Sequence, residues 1–172
     1  SVASFFGKEV LRGISADELT ENAAKIRAEV GDRALLRALH FVSENERVSA
    51  QKAALQGGDL DAYFAGVIAS GRSSYCYLQN VYTTKNVGEQ GLSLALLLTE
   101  GFPSDKRGAW RVHGGGFAGT VQAFVPLDML AEFTADTERL LGPGCCKTLR
   151  IRVITFIQTN VCSVCCLCRI NI

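Results

Sequence analysis

Apolar positions recur every three or four residues through the first part of the chain, the period of helices that bury one face. Ser15-Ala16-Asp17-Glu18 opens the first run as a capping box, with the Ser15 hydroxyl placed to accept from the Glu18 amide and the Glu18 carboxylate to reach back to the Ser15 amide. Leu19, Ala23, Ile26 and Val30 follow at helical spacing. Gly31 stands where a left-handed cap ends a helix, so the pattern predicts one amphipathic helix. Asp32 is placed to cap the next, whose stripe of Leu35, Leu39 and Val42 is continued by Ala53, Ala54 and Leu55 up to Gly57-Gly58. Asp59 restarts a helix carrying Tyr63, Phe64, Val67 and Ile68, and two helices divided by two glycines imply an antiparallel pair. Ser70-Gly71-Arg72-Ser73-Ser74 is expected to break that helix, its hydroxyls either lining a polar pocket or making a turn. Leu92 and the run Leu94-Ala95-Leu96-Leu97-Leu98 are apolar on more than one side, which predicts the most buried helix.

The period then changes. Ala109-Trp110-Arg111-Val112 and Thr120-Val121-Gln122-Ala123-Phe124-Val125 are rich in β-branched and aromatic residues and read as strands, the second stopped by Pro126. Leu130, Phe133, Thr137, Leu140 and Leu141 return to helical spacing until Gly142-Pro143-Gly144. Lys147-Thr148-Leu149-Arg150-Ile151-Arg152 alternates polar and apolar residues as a half-buried strand does. Helices followed by strand, loop, strand, helix and strand give an α+β class, an antiparallel sheet with helices packed on one face. No internal repeat or low-complexity linker divides the chain.

Between the two strands, Val112-His113-Gly114-Gly115-Gly116-Phe117-Ala118-Gly119-Thr120 satisfies G-x-G-x-x-G through Gly114, Gly116 and Gly119. A loop without side chains lets backbone amides approach phosphate oxygens. A dinucleotide site would need the loop to open a helix, and here it opens a strand, so that reading falls. What remains is either a long hairpin turn without a ligand or a hairpin that faces phosphate. His40, beside the helical stripe, reads as a satisfied or exposed histidine rather than a catalytic one. The Glu44-Asn45-Glu46-Arg47 cluster reads as a solvated face.

Composition narrows the class. A chain of 172 residues with 48% hydrophobic residues can bury a substantial core as one domain without crosslinks. With 18 basic and 17 acidic residues the formal charge is +1, which argues against a general attraction to nucleic acid or an anionic membrane. No uncharged apolar run reaches the roughly 18 residues of a membrane span, and no basic-then-apolar leader opens the chain, so a soluble intracellular protein is expected. Cys76 stands alone before Cys145-Cys146, which is not how a disulfide scaffold is built, and a reducing compartment follows. Cys162, Cys165, Cys166 and Cys168 offer a C-x-x-C spacing, but one short continuous run seldom wraps a tetrahedral zinc, and no metal is assigned.

The run from Arg111 to Thr120 resembles the third, glycine-rich signature of the GHMP kinases and specifically of galactokinases, whose commoner form is R-M-T-G-(A or G)-G-F-G-G-C. His113 stands where Thr is usual, Ala118 where Gly is usual and Thr120 where Cys is usual. Phe5-Phe6 with Leu11-Arg12, the block from Arg37 to Val48 (R-A-L-H-F-V-S-E-N-E-R-V) and Gly58-Asp59-Leu60 also resemble the C-terminal half of a galactokinase. The resemblance implies a ferredoxin-like GHMP kinase C-terminal domain over residues 1–152, with 153–172 a Cys-rich tail outside it. It further implies a cytoplasmic enzyme that moves the γ-phosphoryl group of ATP to the anomeric hydroxyl of galactose, with ATP and Mg2+ as cofactors and the sugar as partner. The cofactor-binding loop would be Gly114, Gly115, Gly116, Phe117, Ala118 and Gly119, with Phe117 anchoring its shape and His113 either contacting the transferred phosphate or, the favoured reading, only supporting the hairpin. The family's G-E-H-x-D and P-x-G-x-G-L-S-S-S motifs belong to the N-terminal half and do not occur in this sequence. The chain would therefore supply one wall of the site, no catalytic residue is assigned, and alone it would be inactive. The alternatives are a noncatalytic GHMP-like regulatory or ligand-sensing domain and a GHMP kinase for another small molecule.

Overall fold

A computed structural model describes residues 1–102, 108–115 and 119–149, and the backbone of 164 and 165. Helix α1 (Val2–Phe5) leads to the capping box, which forms as expected: Glu18 N donates to Ser15 Oγ at 3.1 Å and Ser15 N to Glu18 Oε2 at 2.7 Å. The one helix expected behind it is two, α2 (Ala16–Glu21) and α3 (Ala23–Val30). Asn22 separates them, its Nδ2 donating to Glu18 O at 2.9 Å in competition with the backbone. Beyond Gly31, α4 runs from Asp32 to Gly57. The four helices close over Val2, Ile14, Leu19, Ile26, Leu35, Ala38 and Val42.

The turn from α4 into α5 (Leu60–Ser73) explains the antiparallel pair. Gly58 takes φ 74°, Asp59 N donates to Ala54 O at 2.9 Å, and Asp59 Oδ1 accepts from Ala62 N at 2.9 Å. One helix is thus closed by a left-handed cap and the next opened by a carboxylate cap on adjoining residues. The expected break at the serines does not occur. Helix α5 continues to Ser73 and adds a π-helical turn, Ser74–Leu78, because Ser70 and Ser73 spend their hydroxyls on side chains of other elements instead of on a turn.

Helix α6 (Gly91–Glu100) precedes strands β1 (Ala109–His113) and β2 (Thr120–Val125), which pair antiparallel from Ala109↔Phe124 to His113↔Thr120. Cross-strand partners share a face, so Trp110, Val112, Val121, Ala123 and Val125 lie on one side and Ala109, Arg111 and Phe124 on the other. The first side packs against Leu92 and Ala95 of α6 and Phe133 of α7 (Leu130–Leu141). The second packs against Tyr63, Phe64 and Val67 of α5. The fold is α+β around an antiparallel sheet, and its helices cover both faces where cover on one was expected. The reason is visible in Ala123-Phe124-Val125, buried in succession, a run that has no solvent side.

Helix α6 is not the most buried helix: Leu92 and Ala95 meet the sheet, while Leu94 and Leu97 stay 48% and 65% exposed, because one sheet face covers only one side of a helix. The strand expected over Lys147–Arg152 is absent at 147–149, and 150–152 lie outside the described residues. Strand β3 is Val164–Cys165, which pairs with Val125 and Phe124 and so takes the edge of β2 at those positions. Cys162, Cys166 and Cys168 lie outside the described residues. Among the described residues no helix is long and apolar enough to cross a membrane.

Candidate functional site

Gly114 and Gly115 begin the exposed tip of the β1–β2 hairpin. Gly114 has φ 69°, a left-handed value that side-chain-bearing residues rarely adopt, whereas Gly115 is not in that region. A Cβ added at either would meet nothing within 4 Å. His113, Gly114 and Gly115 are exposed; Gly119 and Thr120 are half-buried. His113 Nδ1 lies 3.4 Å from Thr120 Oγ1, its strand partner across the mouth of the loop. Gly116, Phe117 and Ala118 lie outside the described residues. Beneath the tip, Asn80 Nδ2 donates to Gly115 O at 3.2 Å from a side chain that is 1% exposed.

A second group of polar residues lies between α4, α5 and β1. Glu44 and Arg47, expected on a solvated face, are mostly covered, with side chains 20% and 24% exposed. They and His40 recur at i, i+4 and i+7, so one stripe of α4 carries all three towards α5. Their donors and acceptors form a directed chain. Arg111 Nη1 donates to Ser70 Oγ at 2.6 Å, and Ser70 donates on to Glu44 Oε2. Arg47 joins by Nε to Glu44 Oε1 and by Nη2 to Ser73 Oγ at 2.8 Å. Ser73 Oγ, which accepts from Arg47, also lies 2.8 Å from His40 Nδ1.

Burial pushes the His40 pKa below its ordinary value; the Glu44 carboxylate opposes this, and the Arg47 and Arg111 charges add to it. Burial pushes the Glu44 carboxyl up, but the hydrogen bonds from Ser70 and Arg47 and the charges of Arg47 and His40 prevail and hold it low. Glu44 and Arg47 pair directly, Arg111 reaches the carboxylate through Ser70, and both serine hydroxyls are used, which makes the group a support for the fold. Through Arg111 it reaches β1 two residues before His113, at the root of the hairpin.

The hairpin itself offers unsubstituted backbone next to open space, a setting for anionic oxygen. It carries no carboxylate. Among the described residues no group of three or more His, Cys, Asp or Glu is placed to hold a metal ion.

No family model matches the chain. A galactokinase of Actinobacillus pleuropneumoniae serotype 5b (strain L20) is 32% identical over 127 residues, which is 72% of this chain. Galactokinases of Mannheimia succiniciproducens and Haemophilus influenzae are 31% and 32% identical over 77% and 73% of it. The chain is similar to galactokinases. It spans only about 30% of the length of these curated relatives.

Within this galactokinase-like chain, the sequence had marked Gly114, Gly115 and Gly119 of the described loop and missed Asn80 and the chain from Arg111 to His40. The signal for the latter was available in the helical spacing of His40, Glu44 and Arg47 and the i, i+3 spacing of Ser70 and Ser73. Asn80 has no such signal, since its role comes from a contact with a loop 35 positions away.

Proposed function

We propose that this chain is the C-terminal part of a galactokinase, which transfers the γ-phosphoryl group of ATP to the anomeric hydroxyl of galactose. The exposed glycine hairpin carries the proposal: its tip leaves room for phosphate oxygens to meet backbone amides, in a chain that matches galactokinases over about 72% of its length. Gly114, Gly115, Gly116, Phe117, Ala118 and Gly119 form one wall of the nucleotide site. Mg2+, the group that orients the sugar hydroxyl and the main phosphate loop are held by a preceding part of the enzyme, and the whole acts in the cytoplasm.

The gene upstream of Ser1 is expected to encode G-E-H-x-D and P-x-G-x-G-L-S-S-S, and a gene with neither motif defeats the proposal. In the protein so extended, Gly115→Val is the informative variant. Its φ is not left-handed and its Cβ meets no neighbour, so the fold alone gives no reason for glycine there. The melting temperature should stay within about 1 °C of the parent. The KM for ATP should rise about tenfold, a loss of about 1.4 kcal/mol in binding. An unchanged KM would remove the hairpin from the nucleotide site.

A further inference from the structure

The stretch that follows α5 departs from ordinary structure at consecutive positions. Ser74–Leu78 is a π-helical turn, a form common where something outside the helix requires it. Gln79, a residue with a full side chain, has φ 56°, a conformation that costs about 1 kcal/mol. Asn80 is 1% exposed, yet its Oδ1 has no hydrogen-bond partner among the described residues. Such an orphaned buried acceptor costs about 1–3 kcal/mol. A leucine of similar size would fill the same space without that cost. Packing therefore does not account for an asparagine here. The bond that the side chain does make goes to the hairpin, from Nδ2 to the Gly115 carbonyl at 3.2 Å. The amide orientation follows from that partner, since the reverse would set two acceptor oxygens against each other.

We propose that Asn80 is the positioning residue of the glycine hairpin. Glycine leaves the direction of its peptide units free, which suits close approach by a ligand and costs entropy when the ligand orders them. The bond from Asn80 holds the Gly115 carbonyl in place before a ligand arrives, which removes part of that ordering cost. The left-handed turn at Gln79 brings the asparagine under the tip, and the two local costs are retained because they hold the Gly115 carbonyl. The nature of the ligand, a nucleotide phosphate, rests on the function proposed above; the clamp on the hairpin does not.

The two are tested separately. Backbone 15N relaxation of the 172-residue chain, without nucleotide, reads the clamp. The Gly114 and Gly115 amides should have order parameters of about 0.8 in the parent and below about 0.6 in Asn80→Leu, with α4 and α5 unchanged. Asn80→Asp keeps the shape and removes the donor, and it should free the same amides; it carries the test alone if the leucine variant does not fold. Order parameters at Gly115 that stay at the parent value in the folded variants overturn the proposal. In the extended protein, titrated with MgATP, Asn80→Leu should raise KM about tenfold with kcat little changed, the loss of a ground-state binding interaction. Freed amides with an unchanged KM would keep Asn80 as the clamp and defeat the phosphate role of the hairpin.

Discussion

His40 shows how one side chain couples the polar chain to pH. The groups that face it are Ser73 from α5, Glu44 and Arg47 from its own helix, and Arg111 from β1. Folded, it resists protonation because burial, helped by two arginines, disfavours the imidazolium more than Glu44 favours it. The unfolded chain takes up its proton near the ordinary value of about 6.5, so just below that pH the unfolded state binds more protons than the folded one. The stabilisation is complete above about 6.5 and is lost as pH falls through the lower folded value. Stability from urea titration should therefore decline as pH drops below about 6.5 in the parent and be flatter in His40→Gln. A parent profile with no slope there would contradict the assignment of a neutral, buried His40. Glu44 is separable, since a carboxyl held low loses its contribution only as pH falls below the ordinary value of about 4.3.

At the scale of elements, the close approach of α5 to β1 gives a contrast between two glycines. A Cβ on Gly71 would lie 2.9 Å from Arg111 Cβ, 3.2 Å from its Cα and 3.2 Å from Trp110 O, none of which moves without moving the strand. Gly71→Ala should cost about 1–3 kcal/mol by urea unfolding, the usual range for overpacking. At Gly66 the neighbours belong to the Gln51 side chain, the nearest at 2.7 Å, and a side chain can turn aside. Gly66→Ala should cost less than about 1 kcal/mol, the more so as alanine favours the helix. Equal losses at the two sites would show that β1 and α4 are not the rigid and yielding sides described. The helices and the hairpin around these glycines were legible from spacing and caps. The division at Asn22 and the continuity through Ser70 and Ser73 were not, because each depends on where a polar side chain finds its partner.

For the whole molecule, the expectation is that residues 1–172 alone neither phosphorylate galactose nor bind ATP tightly. A site divided between two parts of a protein relies on both to hold the reactants in line. Calorimetric titration with MgATP and a coupled assay with galactose read this directly, and measurable turnover would mean that this chain holds the catalytic group after all. The sequence by itself determined the α+β class, the long antiparallel helix pair and the glycine hairpin, since periodicity, caps and turn residues act over a few positions and mean the same in any context. Only the tertiary structure decided that the sheet is covered on both faces, that Glu44 and Arg47 turn inward and that Asn80 holds Gly115. A polar residue reads alike in sequence whether it meets water or another polar residue, and that choice is made by the packing of elements far apart in the chain.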